Sequence, residues 1–141
     1  MKKLRVMVVS HPGTWQRVLQ KNIEAHSYVK VVEVASGSLS AVQLAKENSP
    51  DLMVIDSSIP FDDLIALVQN VKRENPGTRS IVVTDTTQQR RRIIQSGADY
   101  TISSFNYESQ IGEILNQLGA IHPAGTGGSE TIIKTDPQQS D

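Results

Sequence analysis

DLMVIDSSIP, residues 51–60, is the stretch that decides the fold. Four apolar residues, Leu52 to Ile55, run directly into Asp56, and Ser57, Ser58, Ile59 and Pro60 follow as a turn. A short, continuously apolar run closed by turn residues fits a strand buried on both faces, the kind that parallel sheets contain. Asp56 then stands at the carboxyl end of that strand, where ligands and chemistry collect in open parallel sheets because loops and helix N-termini converge there. A carboxylate in that place can be a nucleophile toward phosphoryl groups, a metal ligand, or a hydrogen-bond acceptor that caps the turn at Ser57 and Ser58.

Strand and helix patterns alternate on both sides of this stretch. Upstream, Leu4 to Val9 (LRVMVV) forms a first buried strand that ends at Ser10-His11-Pro12-Gly13. Thr14 caps a helix over residues 14–26, on which Trp15, Val18, Leu19 and Ile23 recur at helical spacing, Trp15 being expected in the core. Val29 to Ala35 is a second strand whose polar Lys30 and Glu33 indicate an edge position. Ser36-Gly37-Ser38 leads into a second helix with Leu39, Val42 and Ala45 expected inward, and Pro50 ends it. Downstream, residues 62–74 place Leu64, Leu67, Val68 and Val71 on one face, with acids first and Lys72-Arg73 last, as the helix dipole prefers. Asn75-Pro76-Gly77 stops that helix, Ser80 to Thr84 (SIVVT) makes a fourth buried strand, and Thr86 to Ser96 a fourth helix closed by Gly97. Tyr100 to Ser104 is a weaker fifth strand, and Tyr107 to Leu118 a last helix with Ile111, Ile114, Leu115 and Leu118 inward.

Strand followed by helix, five times over with short connections, makes a three-layer α/β/α fold with a parallel sheet covered on both faces. The right-handed crossover rule leaves few topologies, and five strands favour the order 2-1-3-4-5. That order brings Ser10-His11 beside Asp56. One domain is expected over residues 1–118. Residues 119–141, rich in Gly, Pro, Ser, Thr and Gln, read as a disordered tail or linker, too short and polar to be an output domain. The chain is therefore expected to be either a stand-alone module or the front of a longer protein.

Composition narrows the functions. With 141 residues the chain can bury a core unaided, and a net charge of -1 argues against bulk attraction to nucleic acid or anionic membrane. The absence of cysteine removes disulfides, thiolate nucleophiles and thiolate metal sites. No apolar run is long enough for a membrane span or a signal-peptide core, so a soluble, cytoplasmic protein is expected. No triad or paired acid-base set can be named, so an enzyme is not expected.

The strand ends offer Ser10 and His11, Ser36, Asp56, Thr84 with Asp85, and Ser103 with Ser104. Around them the sequence resembles the receiver domains of response regulators. DLMVIDSSIP is similar to their phospho-accepting segment, Val82 to Thr84 to their fourth strand, and Gly97-Ala98 to the Gly-Ala before their fifth, over about residues 4 to 118. The resemblance implies the flavodoxin-like receiver fold, and a role in two-component phosphorelay signalling through protein-protein contact with a histidine kinase or another signalling protein. It also implies that Asp56 is the phospho-acceptor and Thr84 the hydroxyl that follows the phosphoryl group and biases a two-state surface.

Two parts of the family's site are missing. Where receivers place an acidic pair for magnesium, this chain has Ser10 and His11, and no Asp or Glu precedes Glu24. Magnesium prefers hard, charged oxygen ligands, so its binding is expected to be weakened, with Asp56 at most as a ligand. The lysine that pairs with the phosphoryl oxygens falls on Ser104, or on Ser103 with a one-residue gap. Asp85 stands where the family has a small residue, and is expected either to narrow the pocket or to supply a substitute carboxylate. Arg90, Arg91 and Arg92 form a basic run on the fourth helix, read as a solvated face or as part of the fourth-helix, fifth-strand and fifth-helix surface that receivers use for partners or homodimers. Three arginines without a recognition motif do not indicate DNA. Two alternatives stand beside a phosphorylatable receiver: a pseudo-receiver scaffold that keeps the fold without the switch, and a flavodoxin-like small-ligand module built on the SHPGTW loop.

Overall fold

The computed structural model describes residues 3–124. Ten elements alternate along them: β1 Leu4–Val9, α1 Thr14–Glu24, β2 Val29–Ala35, α2 Ser38–Asn48, β3 Leu52–Ile55, α3 Phe61–Glu74, β4 Arg79–Val83, α4 Thr87–Gln95, β5 Tyr100–Ile102 and α5 Tyr107–Ala124. The strands form one parallel sheet in the order β2-β1-β3-β4-β5. This is the three-layer α/β/α arrangement and strand order expected from the alternation, and the flavodoxin-like fold that the resemblance implies.

Side chains of successive strand residues point to opposite faces, and the central strands are apolar on both. Val6, Val8, Leu52, Val54, Ile81 and Val83 pack on the side covered by α1 and α5, against Leu19, Ile23, Ile111, Ile114 and Leu115. Met7, Val9, Met53, Ile55 and Val82 pack on the other side, against Leu64, Leu67, Val68 and Val71 of α3 and Ile93 of α4. Each fully buried aliphatic side chain of this kind is worth about 1.5–3 kcal/mol relative to exposure. β2 is an edge strand, as Lys30 and Glu33 indicated, and its pairing with β1 slips between Val6 and Met7, which face Val31 and Glu33.

Several local expectations differ. Leu39, expected inward on α2, is 86% exposed, because the contact line of α2 is the small pair Ala41 and Ala45, and residue 39 lies about two hundred degrees around the helix from residue 41. Val18 of α1 is likewise exposed, with Leu19 and Ile23 taking the buried positions. α1 ends at Glu24, where the His26 N–H turns back to the Ile23 carbonyl. β4 and β5 stop at Val83 and Ile102, leaving Thr84, Ser103 and Ser104 in the loops. α5 continues past Leu118 to Ala124. Gly119 therefore does not end the helix: a Cβ there would come within 3.0 Å of the Tyr28 ring, so glycine serves the close approach of α5 to that ring. Residues 125–141, most of the expected tail, lie outside the described residues.

The topology fixes the site. β1 and β3 are hydrogen-bonded neighbours with Val9 opposite Ile55, so the residues that follow them, Ser10 and Asp56, emerge side by side. The Asp56 N–H donates to the Val9 carbonyl at 3.0 Å and the Ser10 N–H to that of Ala35, at 3.0 Å, which extends the ladder to the sheet's edge.

Candidate functional site

Asp56 is 2% exposed, and its carboxylate is held by three neutral donors. The hydroxyls of Ser10 and Ser58 both donate to Oδ2, at 2.8 and 2.6 Å, and the indole Nε1–H of Trp15 donates to Oδ1 at 2.8 Å. Among the described residues, no lysine, arginine or histidine pairs with it. The Ser58 hydroxyl in turn accepts from the His11 N–H at 3.0 Å, and Gln16 donates to the Ser10 carbonyl at 2.7 Å. The loop after β1 is thus stitched to the turn after β3. The turn-capping role open to Asp56 is realised, through Ser58.

Trp15 was expected in the core, and the structure corrects that placement. Its ring packs against the α1/α5 core and meets Tyr107 edge-on, at 4.8 Å between centroids and 74° between planes, while its N–H reaches outward to Asp56. A partly buried indole N–H is satisfied by such a partner. Tyr107, the first residue of α5, accepts from the Asn22 amide, which also donates to Glu108. Burial first, and the Glu108 carboxylate second, raise the Tyr107 phenol above its ordinary range, against the opposing hydrogen bond from Asn22. The phenol supporting Trp15 is therefore neutral at physiological pH.

Above Asp56 opens a cleft of about 420 Å³ lined by Trp15, Asp56, Ser57, Ser58 and Ser104. Ser104 forms its far wall and is fixed there by Asp85, whose Oδ1 accepts both the Ser104 hydroxyl and, at 3.2 Å, its N–H. Asp85 thus sets the position of the wall, tying the loop after β4 to the loop after β5. The other strand-end residue, Ser103, is held by the Gln110 side chain, which accepts its N–H at 2.9 Å. Phe105, next to Ser104, is 88% exposed.

The remaining residues singled out in the sequence lie outside this cleft. Thr84 is buried, and its hydroxyl donates to Gln89 Oε1 in the first turn of α4 at 3.2 Å. His11 is exposed and takes part through its backbone, its N–H donating to Ser58 and its carbonyl accepting from the Ser10 hydroxyl at 3.4 Å. Three consecutive arginines on a helix spread over some two hundred degrees, and they separate accordingly. Arg90 is half-buried with Nε out of water, Arg91 is exposed, and the Arg92 guanidinium lies 5.1 Å over the Phe61 ring of α3.

The family model for the response regulator receiver domain matches residues 6–116. The chain belongs to the response-regulator receiver family. Its sequence is 31% identical over 106 residues to the probable C4-dicarboxylate response regulator DctR of Priestia megaterium, covering 73% of this chain and 46% of that protein. It is 29% identical over 116 residues to the chemotaxis protein CheY of Bacillus subtilis, covering 80% of this chain and 95% of that one. The fold superposes on the NarL signal receiver domain of Mycobacterium tuberculosis with a TM-score of 0.76 at 20% identity, over 85% of this chain and 98% of that one. The chain thus spans less than half of the DctR relative and nearly all of the CheY relative.

Within this receiver domain the residues at the magnesium position do not fit the ion. Magnesium needs charged or carbonyl oxygens in octahedral array. Here the Ser10 hydroxyl proton is committed to Asp56, His11 faces solvent, and both Asp56 oxygens already accept hydrogen bonds. Among the described residues no group of three or more His, Cys, Asp or Glu side chains could hold a metal. Trp15 is the site residue that sequence reasoning missed; the signal available was its place in the first turn of the helix that follows Ser10.

Proposed function

We propose that this receiver domain works by protein-protein contact in two-component signalling, with Asp56 kept as a capped carboxylate and not used as a magnesium-dependent phospho-acceptor. The observation that carries the reading is the triple neutral cap of Asp56 by Ser10, Ser58 and Trp15. Transfer to a carboxylate oxygen requires that oxygen to be free for in-line attack and the phosphoryl charge to be offset by cations. Oδ2 already accepts two hydroxyls and Oδ1 accepts the indole N–H, while the positions whose charges would offset the phosphoryl group, those of the acidic pair and the lysine, are held by Ser10, His11 and Ser104. The Thr84 hydroxyl, engaged with Gln89, serves in this reading to anchor α4. The module has no catalytic activity of its own. Its partners are a histidine kinase or another signalling protein, and the α4, β5 and α5 surface, with the Arg90 to Arg92 run on α4, is available for a partner or a second copy.

The test is incubation with acetyl phosphate, with and without magnesium, followed by intact mass. The expected result is an unchanged mass under both conditions. Gain of one phosphoryl group on the wild type, absent in Asp56→Asn, would establish instead a receiver that is phosphorylated despite its altered site.

A further inference from the structure

We infer that the cleft over Asp56 is a docking site for a lysine side chain presented by a partner protein. The inference rests on the reading of Asp56 as a capped, unphosphorylated carboxylate and gives that site its partner chemistry. A carboxylate out of water is costly unless a counter-charge or a full set of hydrogen bonds compensates it. Asp56 is 2% exposed, and its three donors are all neutral. The formal charge is left without a cation among the described residues, at the floor of an open cleft of about 420 Å³.

The hydrogen-bond inventory of Asp56 selects the cation. Each carboxylate oxygen has two lone-pair sites. Oδ2 has both filled, by Ser10 and Ser58, whereas Oδ1 accepts only from Trp15 and retains one. A guanidinium in its bidentate mode needs a free site on each oxygen, which this carboxylate does not offer. A primary ammonium needs a single strong acceptor for one N–H, with hydroxyls or water for the others, and Ser57, Ser58 and Ser104 line the same cleft. The indole of Trp15, also in the lining, suits the aliphatic stem and attracts a cation.

The source of the ammonium is a protein. Phe105, 88% exposed, follows the cleft-lining Ser104 directly and gives a partner surface an apolar anchor that a free amine would not use. The docked lysine enters by desolvating against Asp56 and leaves the Ser10, Ser58 and Trp15 hydrogen bonds in place. The contact is a charge-assisted hydrogen bond and involves no covalent step.

Trp15 is the sole tryptophan, so its fluorescence reports on the cleft directly. The full chain is titrated with three capped peptides, Ac-Ala-Leu-Xaa-Leu-Ala-amide, in which Xaa is Lys, Arg or Gln, and with n-butylammonium chloride against sodium chloride. The lysine peptide is expected to give a saturable change and to bind about tenfold or more tightly than the glutamine peptide, as one hydrogen bond to a charged group provides. The arginine peptide is expected between them, and n-butylammonium weaker than the lysine peptide. Asp56→Asn should abolish the preference for lysine, and Phe105→Ala should weaken the peptide but not n-butylammonium. Circular dichroism confirms that each variant is folded. Equal binding of the lysine and glutamine peptides, a lysine preference that survives Asp56→Asn, or no saturable response to any probe overturns the inference. n-Butylammonium bound as tightly as the lysine peptide transfers the site to small amines and overturns the protein source. Addition of a phosphoryl group by acetyl phosphate overturns the reading beneath it separately, since that experiment reads mass and involves no peptide.

Discussion

Replacing Trp15 by phenylalanine keeps an aromatic ring beside Tyr107 and removes the N–H that reaches Asp56 Oδ1 at 2.8 Å. A hydrogen bond to a charged acceptor is worth about 1.5–3 kcal/mol, and water entering the open cleft can take over part of it, so a loss of about 1–2 kcal/mol is expected. The single substitution also changes packing, and a double-mutant cycle separates the two. In an Asp56→Ala background the indole N–H has lost its acceptor, so Trp15→Phe should cost only its packing component. The difference between the two costs, about 1–2 kcal/mol, is the coupling of indole to carboxylate. Urea unfolding followed by far-ultraviolet circular dichroism measures all four proteins without using the tryptophan as a probe. With a slope of about 1–3 kcal/mol per molar urea, the coupling amounts to a shift of about 0.3–2 M in the midpoint. Additivity of the two substitutions to within about 0.5 kcal/mol would refute the reasoning, because residues that share no interaction behave in that way.

Gly97→Ala should destabilise the domain by about 1–3 kcal/mol in the same unfolding assay, since Gly97 has φ of +121° and a Cβ there would lie 3.2 Å from Lys72 Cγ. Asp85→Ala should release Ser104, detected as faster amide exchange at Ser104, with little change in global stability because both residues lie in solvent-facing loops. Burial raises the phenol of Tyr28, and burial followed by Glu108 raises that of Tyr107, so both stay neutral in the fold at a pH where the unfolded chain ionises. Their contribution to stability should be complete below about pH 10 and should fall as the pH rises through their higher folded values, which urea midpoints across that range and the ultraviolet absorbance of tyrosinate would follow.

The fold was readable because its signal is local and redundant. LMVI before Asp56, VMVV before Ser10 and IVV before Thr84 each mark a doubly buried strand, and one crossover rule orders them. The place of Asp56 beside Ser10 followed from that order. What Asp56 touches did not follow, because a tryptophan at helical spacing carries the same pattern whether its N–H is idle or bonded; only the docking of α1 against the turn after β3 decides it. Leu39 misled because a stripe of apolar residues does not reveal that two alanines set the contact line, and Gly119 because glycine serves helix ends and close approaches alike. The arginine run looked like one feature in the sequence, yet helical geometry sends its members to three environments. Ser10, His11 and Ser104 could be singled out from residue types, while the hydroxyl and indole cap on Asp56 required coordinates.

The capped state of Asp56 is most directly tested by the indole N–H resonance of Trp15, which is a single peak because the chain has one tryptophan. Recorded in a heteronuclear spectrum of the full chain, it should be protected from exchange with water, should lose that protection in Asp56→Ala, and should stay in place as magnesium chloride is raised through the millimolar range. A rapidly exchanging indole in the wild type, or a saturable magnesium-dependent shift that Asp56→Ala abolishes, would contradict the account.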